Sequence, residues 1–207
     1  MRKIFKYLLI FVVVFFILFL SFFYFYKANV INNLEVKKRI VDSKWSELFE
    51  NSSMRINLLI TIVSTAKSKG IVFDSLNIIT ENNFTRRHLY KYECSLDFAK
   101  QEFDLNKEYM KYSAKHKNDS VLKQNEKFNL ITQLKINDEK INLIIDDYNN
   151  RALDYNKYIS IFPNFFFAKK NGFTKKKYFT IKYGIENKDP ILKSKELPEW
   201  AKDIDTL

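Results

Sequence analysis

Residues 131–162, ITQLKINDEKINLIIDDYNNRALDYNKYISIF, carry the pattern that decides the fold. Ile131, Leu134, Asp138, Ile141, Ile145, Tyr148, Ala152, Tyr155, Ile159 and Phe162 recur in alternating steps of three and four without a slip. Side chains at that spacing share one face of a helix, so the stretch predicts a long helix with an apolar seam. Asp138 is the one charged member of that seam. Pro163 disfavours helical backbone in the residue before it and ends the helix at Phe162.

Working back from this helix, polar turn signals divide a chain nearly free of glycine and proline. The run HKNDS at 116–120 predicts a break, with Asp119 or Ser120 as N-cap before Val121. Ser68-Lys69-Gly70 reads as a helix C-terminus, and Asp74 or Ser75 as the cap of the next helix. Three segments of nearly equal length result, roughly 32–69, 74–115 and 121–162, each ~60 Å long as a straight helix. Equal helices on short turns predict an up-down-up antiparallel bundle.

The second segment carries its seam in Leu89, Tyr92, Leu96, Ala99, Phe103 and Met110. The first carries Leu34, Val41, Trp45, Leu48, Ile56, Leu59, Val63 and Ala66, with Ser52 and Arg55 polar beside them. Arg55 has two fates, pairing with a buried carboxylate or snorkelling to the surface, and snorkelling is the commoner.

Ahead of the bundle, Tyr7–Tyr26 reads YLLIFVVVFFILFLSFFYFY, with no charge. In hydrocarbon every backbone polar group must be satisfied internally, so a run of this length predicts one membrane-spanning helix. Arg2, Lys3 and Lys6 flank it on one side, and Tyr24, Tyr26 and Lys27 mark the other interface. The run is long and no small-x-small site follows, which favours a permanent anchor over a cleaved signal peptide. Nothing interrupts the chain between Tyr26 and the first bundle segment, so anchor and stalk can be continuous. The basic N-terminus favours the cytoplasmic side for itself and the far side for the domain.

Beyond Pro163 the character changes. Residues 164–183, NFFFAKKNGFTKKKYFTIKY, mix phenylalanine and lysine, with Asn171-Gly172 as a turn signal. In the up-down-up order Pro163 lies ~60 Å from the bilayer. The expected role of Phe165–Phe167 is then to fold over the distal bundle end and cover the loop around Gly70. The competing reading makes Lys175, Lys176 and Lys177 with their aromatic neighbours a surface for a protein partner. The expected organisation is a basic flank over 1–6, a span over 7–26, a bundle with its Phe/Lys-rich cap over 27–185 and a flexible tail over 186–207.

Composition narrows the chemistry. The 207 residues hold one cysteine, Cys94, so no intramolecular disulfide forms. The net charge of +11 comes largely from lysine, a poor choice for bidentate phosphate recognition, and no nucleic-acid partner is expected. His88 and Cys94 sit six residues apart and no Glu-x-x-His or Cys-x-x-Cys exists, so no metal and no cofactor is expected. Three glycines leave no phosphate-cradling loop. No nucleophile elbow or other catalytic motif stands out.

The segment 148–179 resembles the C-terminal signature of the LemA family of bacterial membrane proteins. The matching residues are Tyr148-Asn149, Tyr155-Asn156, Phe162-Pro163, Phe167-Ala168, Gly172-Phe173 and Tyr178-Phe179. Trp45 and the run Arg55–Val63 are similar to the family's first helix. Asn57 and Ile60 depart from it, standing where the family tends to have Asp and Pro. The resemblance implies a single anchor followed by a long helical bundle, all-α, in the bacterial inner membrane. It implies no catalytic activity. The expected function is therefore a non-catalytic scaffold or interaction module at the cell envelope, able to self-associate, with a ligand-sensing bundle as the alternative and an enzyme as a distant third.

Overall fold

The computed structural model describes residues 2–68, 91, 94–115 and 125–196. Its helices are α1 (Arg2–Lys67), α2 (Leu96–Lys115), α3 (Asn125–Ser160), α4 (Asn164–Lys170) and α5 (Pro190–Glu196), and no strand occurs among the described residues. The fold is all-α, as the periodicity indicates.

The apolar run and the first bundle segment are one helix. α1 runs for 66 residues, ~100 Å at the usual rise. From Ile4 through Phe25 it is exposed all round, and from Val30 onward one stripe is buried. That stripe is the predicted one: Leu34, Val41, Trp45, Leu48, Ile56, Leu59, Val63 and Ala66 are all inside. On α3 the seam is likewise buried from Leu134 to Ile159, Asp138 included. Phe162 departs from the prediction. It lies past the end of α3 and is exposed.

α1 and α3 are antiparallel partners. Arg55 meets Asp138, Lys44 meets Asp147, Asn33 meets Tyr158 and Tyr26 meets Asn164, so one residue number falls as the other climbs. α2 runs the other way, parallel to α1, since Trp45 meets Phe98 and Arg55 meets Asn106. The up-down-up order is thereby overturned. α3 descends toward the apolar end of α1, and Pro163 is beside Tyr26 rather than ~60 Å beyond it.

The cause is a helix start inside the segment expected to run unbroken over 74–115. Cys94 and Ser95 are non-helical, and Ser95 Oγ accepts the Phe98 N–H at 3.2 Å as an N-cap. The expected caps at Asp74, Ser75, Asp119 and Ser120, the loop at Gly70, the seam residues Leu89 and Tyr92, and His88 lie outside the described residues.

After α3 the chain turns through Pro163 into α4, whose Phe167 and Ala168 are buried against α1. A Schellman motif closes α4: Phe173 N–H donates to Ala168 O at 3.0 Å and Gly172 N–H to Lys169 O at 3.3 Å. Gly172 has φ +72°, the left-handed conformation this closure requires, as the Asn-Gly signal implies. The chain then runs extended from Thr174 back along α3 before α5. Within the expected loose tail from residue 186, Asp189 pairs with Lys100 at 2.7 Å and Pro190 is buried, so that part is held.

Candidate functional site: an extended strap on an asparagine ladder

Residues 174–187 form a strap clasped between α3 and α2. Its alternate residues Phe179, Ile181 and Tyr183 are buried, the period-2 pattern of extended backbone. Phe179 packs on Trp45 and Phe98 with ring centroids 6.0 and 5.7 Å away, so the strap fills the gap between α1 and α2.

A strap with no β partner must place its peptide groups elsewhere. Asparagines seven residues apart on α3 provide for them. Asn156 accepts the Lys176 N–H at 2.7 Å and donates to Lys176 O at 2.8 Å. Asn149 accepts from and donates to Phe179 at 2.9 and 2.7 Å, and Asn142 does the same for Tyr183 at 2.9 and 3.0 Å. A carboxamide holds one acceptor and a donor in one plane, so each asparagine pairs with the strap as a neighbouring strand would. The rungs fit because the repeats are commensurate. Two heptads rise ~21 Å on the helix, and the seven residues from Lys176 to Tyr183 span ~23 Å when extended.

Between the first two rungs the carbonyls of Lys177 and Tyr178 also meet donors. Tyr148 Oη donates to Lys177 O at 2.7 Å, and Cys94 Sγ lies 3.8 Å from Tyr178 O. Burial holds the Tyr148 hydroxyl far above its ordinary pKa, with Cys94 the next cause, so it stays a donor at any physiological pH. On α2, Asn106 accepts the Gly184 N–H at 3.0 Å and donates to Ile185 O at 2.8 Å.

Beside this last rung sits a buried charge cluster. Arg55 is wholly inside and donates from Nε to Asp138 Oδ1 at 2.5 Å and from Nη2 to Asn106 at 3.3 Å. Its guanidinium stacks over the Tyr183 ring at 4.6 Å, and Tyr183 Oη donates to buried Glu102 at 2.6 Å. The snorkelling expected of Arg55 does not occur, because an aspartate on α3 and an asparagine on α2 meet it inside. Two buried carboxylates, Asp138 and Glu102, act on one another here. Burial raises the Asp138 pKa, Arg55 opposes this, and Glu102 adds to it. Gly184, at φ +75°, passes so close that a Cβ there would stand 3.4 Å from Asp138 Oδ2.

The signature residues fall into groups that the sequence did not separate. Tyr148, Asn149 and Asn156 hold the strap, Tyr155 is core, and Gly172 with Phe173 closes α4. Burial, and behind it Asp42, pushes the Tyr155 hydroxyl up to about 12. Phe162 and Pro163 form the elbow before α4. Of the proposed partner surface, Phe179 is buried, Tyr178 half-buried and Lys176 paired with Asp42 at 2.5 Å, leaving Lys175 and Lys177 exposed. Of the anchor flanks, Arg2 and Lys3 lie in the first turn of α1, Lys6 and Tyr24 are exposed, and Tyr26 and Lys27 half-buried.

Sequence reasoning missed Asn142, Asn106, Glu102, Tyr183 and Asn164. The heptad phase of Asn142 with Asn149 and Asn156 was a usable signal. Two crevices adjoin the strap, about 340 Å³ beside Asn106, Met110 and Ile185 and about 260 Å³ between Trp45, Asp42 and Lys175–Lys177. No group of three His, Cys, Asp or Glu side chains is placed to hold a metal among the described residues.

No curated protein and no solved structure matches the chain. A family model, that of the LemA family, matches residues 44–193, from the helix turn that carries Trp45 to the first turns of α5. That interval holds the ladder, the charge cluster, the elbow and the strap together, and the chain belongs to the LemA family.

Proposed function

We propose that this protein is a membrane-anchored, non-catalytic scaffold or interaction module of the bacterial cell envelope, with residues 7–26 in the inner membrane and the bundle outside the cytoplasm. The carrying observation is the continuity of α1, whose exposed apolar third passes into the bundle without a break. A rod of this kind fixes the bundle's height above the lipid and presents its sides to neighbours. The ionisable groups at the centre are engaged with one another and with the strap, so they serve architecture better than turnover. The face open to a protein partner is the one around Lys175 and Lys177, at the level of Trp45.

Photo-crosslinking in intact cells from residue 175 of the full chain tests this. A discrete adduct with a second copy or another envelope protein is expected. Absence of any protein adduct overturns the interaction reading. Protease protection in spheroplasts checks the orientation: the bundle is expected to be cleaved from outside.

A further inference from the structure

The apolar end of α1 does not stand alone. α3 descends to it, and the elbow and α4 dock there: Tyr26 Oη donates to Asn164 Oδ1 at 3.0 Å, and Phe167 packs on Phe23 and Tyr26 with centroids 5.5 and 6.2 Å away. Phe23 lies inside the uncharged run, ~4.5 Å nearer its middle than Tyr26. On the outer side of this dock the chain exposes Ile161 by 57%, Phe162 by 74% and Phe166 by 56%, with Phe165 at 38%. The phenylalanine rings cluster, with Phe162 5.9 Å from Phe166 and Phe165 3.9 Å from Phe166. Lys169 and Lys170 follow on the same short helix, both exposed.

We propose that this elbow is a second membrane contact, a wedge of Ile161, Phe162, Phe165 and Phe166 seated at the headgroup–acyl boundary of the bilayer that α1 crosses. The occupant follows from continuity. Whatever surrounds the exposed Phe22 and Phe25 also reaches a cluster on the turn and short helix whose Phe167 docks on Phe23. Apolar side chains followed by lysines suit that boundary, where rings enter the acyl layer and cations stay among headgroup phosphates. The bundle is then tied to lipid at two points, which fixes its rotation about α1 as well as its height.

The inference rests on residues 7–26 being a span, so the test separates the two. Full-length protein carrying Phe166→Trp or Val14→Trp is reconstituted in phosphatidylcholine vesicles with or without acyl-chain bromine, and quenching is read as the difference from the parent. Expected is quenching of the Trp at 166 by bromines near the headgroups and of that at 14 by deep ones. Quenching at 14 with a red, unquenched signal at 166 overturns the wedge and leaves the span. A blue-shifted but unquenched signal at 166 means protein covers the elbow, which also overturns it. No quenching at 14 removes the span, and the wedge with it.

Discussion

Ten residues apart on α1, Trp45 and Arg55 occupy the same stripe, face the same two helices and touch the same strap, yet they hold the bundle by opposite means. Around Trp45 the neighbours are Phe98, Tyr148 and Phe179, in edge-on and tilted contact at 5.3–6.0 Å. Around Arg55 they are Asp138, Asn106 and Tyr183, with Glu102 held by Tyr183, and this layer parts the two apolar clusters of the core. Burial of apolar area rewards any tight arrangement, whereas a buried charge is stable only where its partners stand. The aromatic level supplies cohesion. The charged level supplies register.

Single truncations at the two levels have similar cost, and the second substitution separates them. Trp45→Ala removes a large buried ring and is expected to cost about 3–5 kcal/mol. Arg55→Ala strands Asp138 and is expected to cost about 3–5 kcal/mol as well. Arg55→Met combined with Asp138→Leu is expected to regain most of that loss, because an apolar pair carries no desolvation penalty. Denaturant unfolding of the full chain in detergent measures all three. A double variant no more stable than Arg55→Ala removes the distinction between cohesion and register.

The ladder joins the levels, and its failure is local. Asn149→Ala leaves the Phe179 N–H and C=O without partners, at about 2–3 kcal/mol. Hydrogen exchange is expected to quicken over 176–183 while the middle of α3 keeps its protection. Uniform quickening in both would mean that strap and bundle open as one unit.

Acid sharpens the contrast further. Burial raises the Asp138 pKa, so between the unfolded and folded values the native state binds the extra proton. Unfolding free energy then falls as pH rises from about 4 through the folded value. Asp138→Asn is expected to flatten that slope, and Trp45→Phe to leave it unchanged. Thermal midpoints from pH 4 to pH 8 report it.

The seams of α1 and α3 were legible because heptad spacing is a local property, readable without knowing the partner. The direction of α3 was not, because it depended on one short side chain. Ser95 opens α2 inside a stretch whose spacing from Leu89 to Met110 reads as one seam, so the periodicity hides the cap. That one start sets the direction of the remaining helices and the end at which the elbow lies. The burial of Arg55 is not readable locally, because its partners lie 51 and 83 residues away. The ladder hid differently. Asparagine on a helix face is by default solvated, and Asn142, Asn149 and Asn156 become meaningful only once an extended segment lies against them. The alternation of Phe179, Ile181 and Tyr183 announced that segment, although its lysines drew attention to charge instead.

At the far edge of the strap the comparison reaches its weakest member, the pair of Lys100 and Asp189 that tethers α5 to α2 at 2.7 Å. Here water reaches both partners, so the pair resembles neither level of the core. The Lys100 hydrogen bond holds the Asp189 carboxyl below its usual range despite partial burial. Its contribution is therefore present above the unfolded carboxyl pKa and is lost as pH falls through the folded one, the reverse of Asp138. Exposure keeps the size to about 1 kcal/mol or less, and salt screens it. Asp189→Asn is expected to leave the global midpoint nearly unchanged while proteolysis within 190–196 accelerates, more at low salt than at high. A global loss comparable to that of Arg55→Ala would show that α5 belongs to the core rather than to its margin.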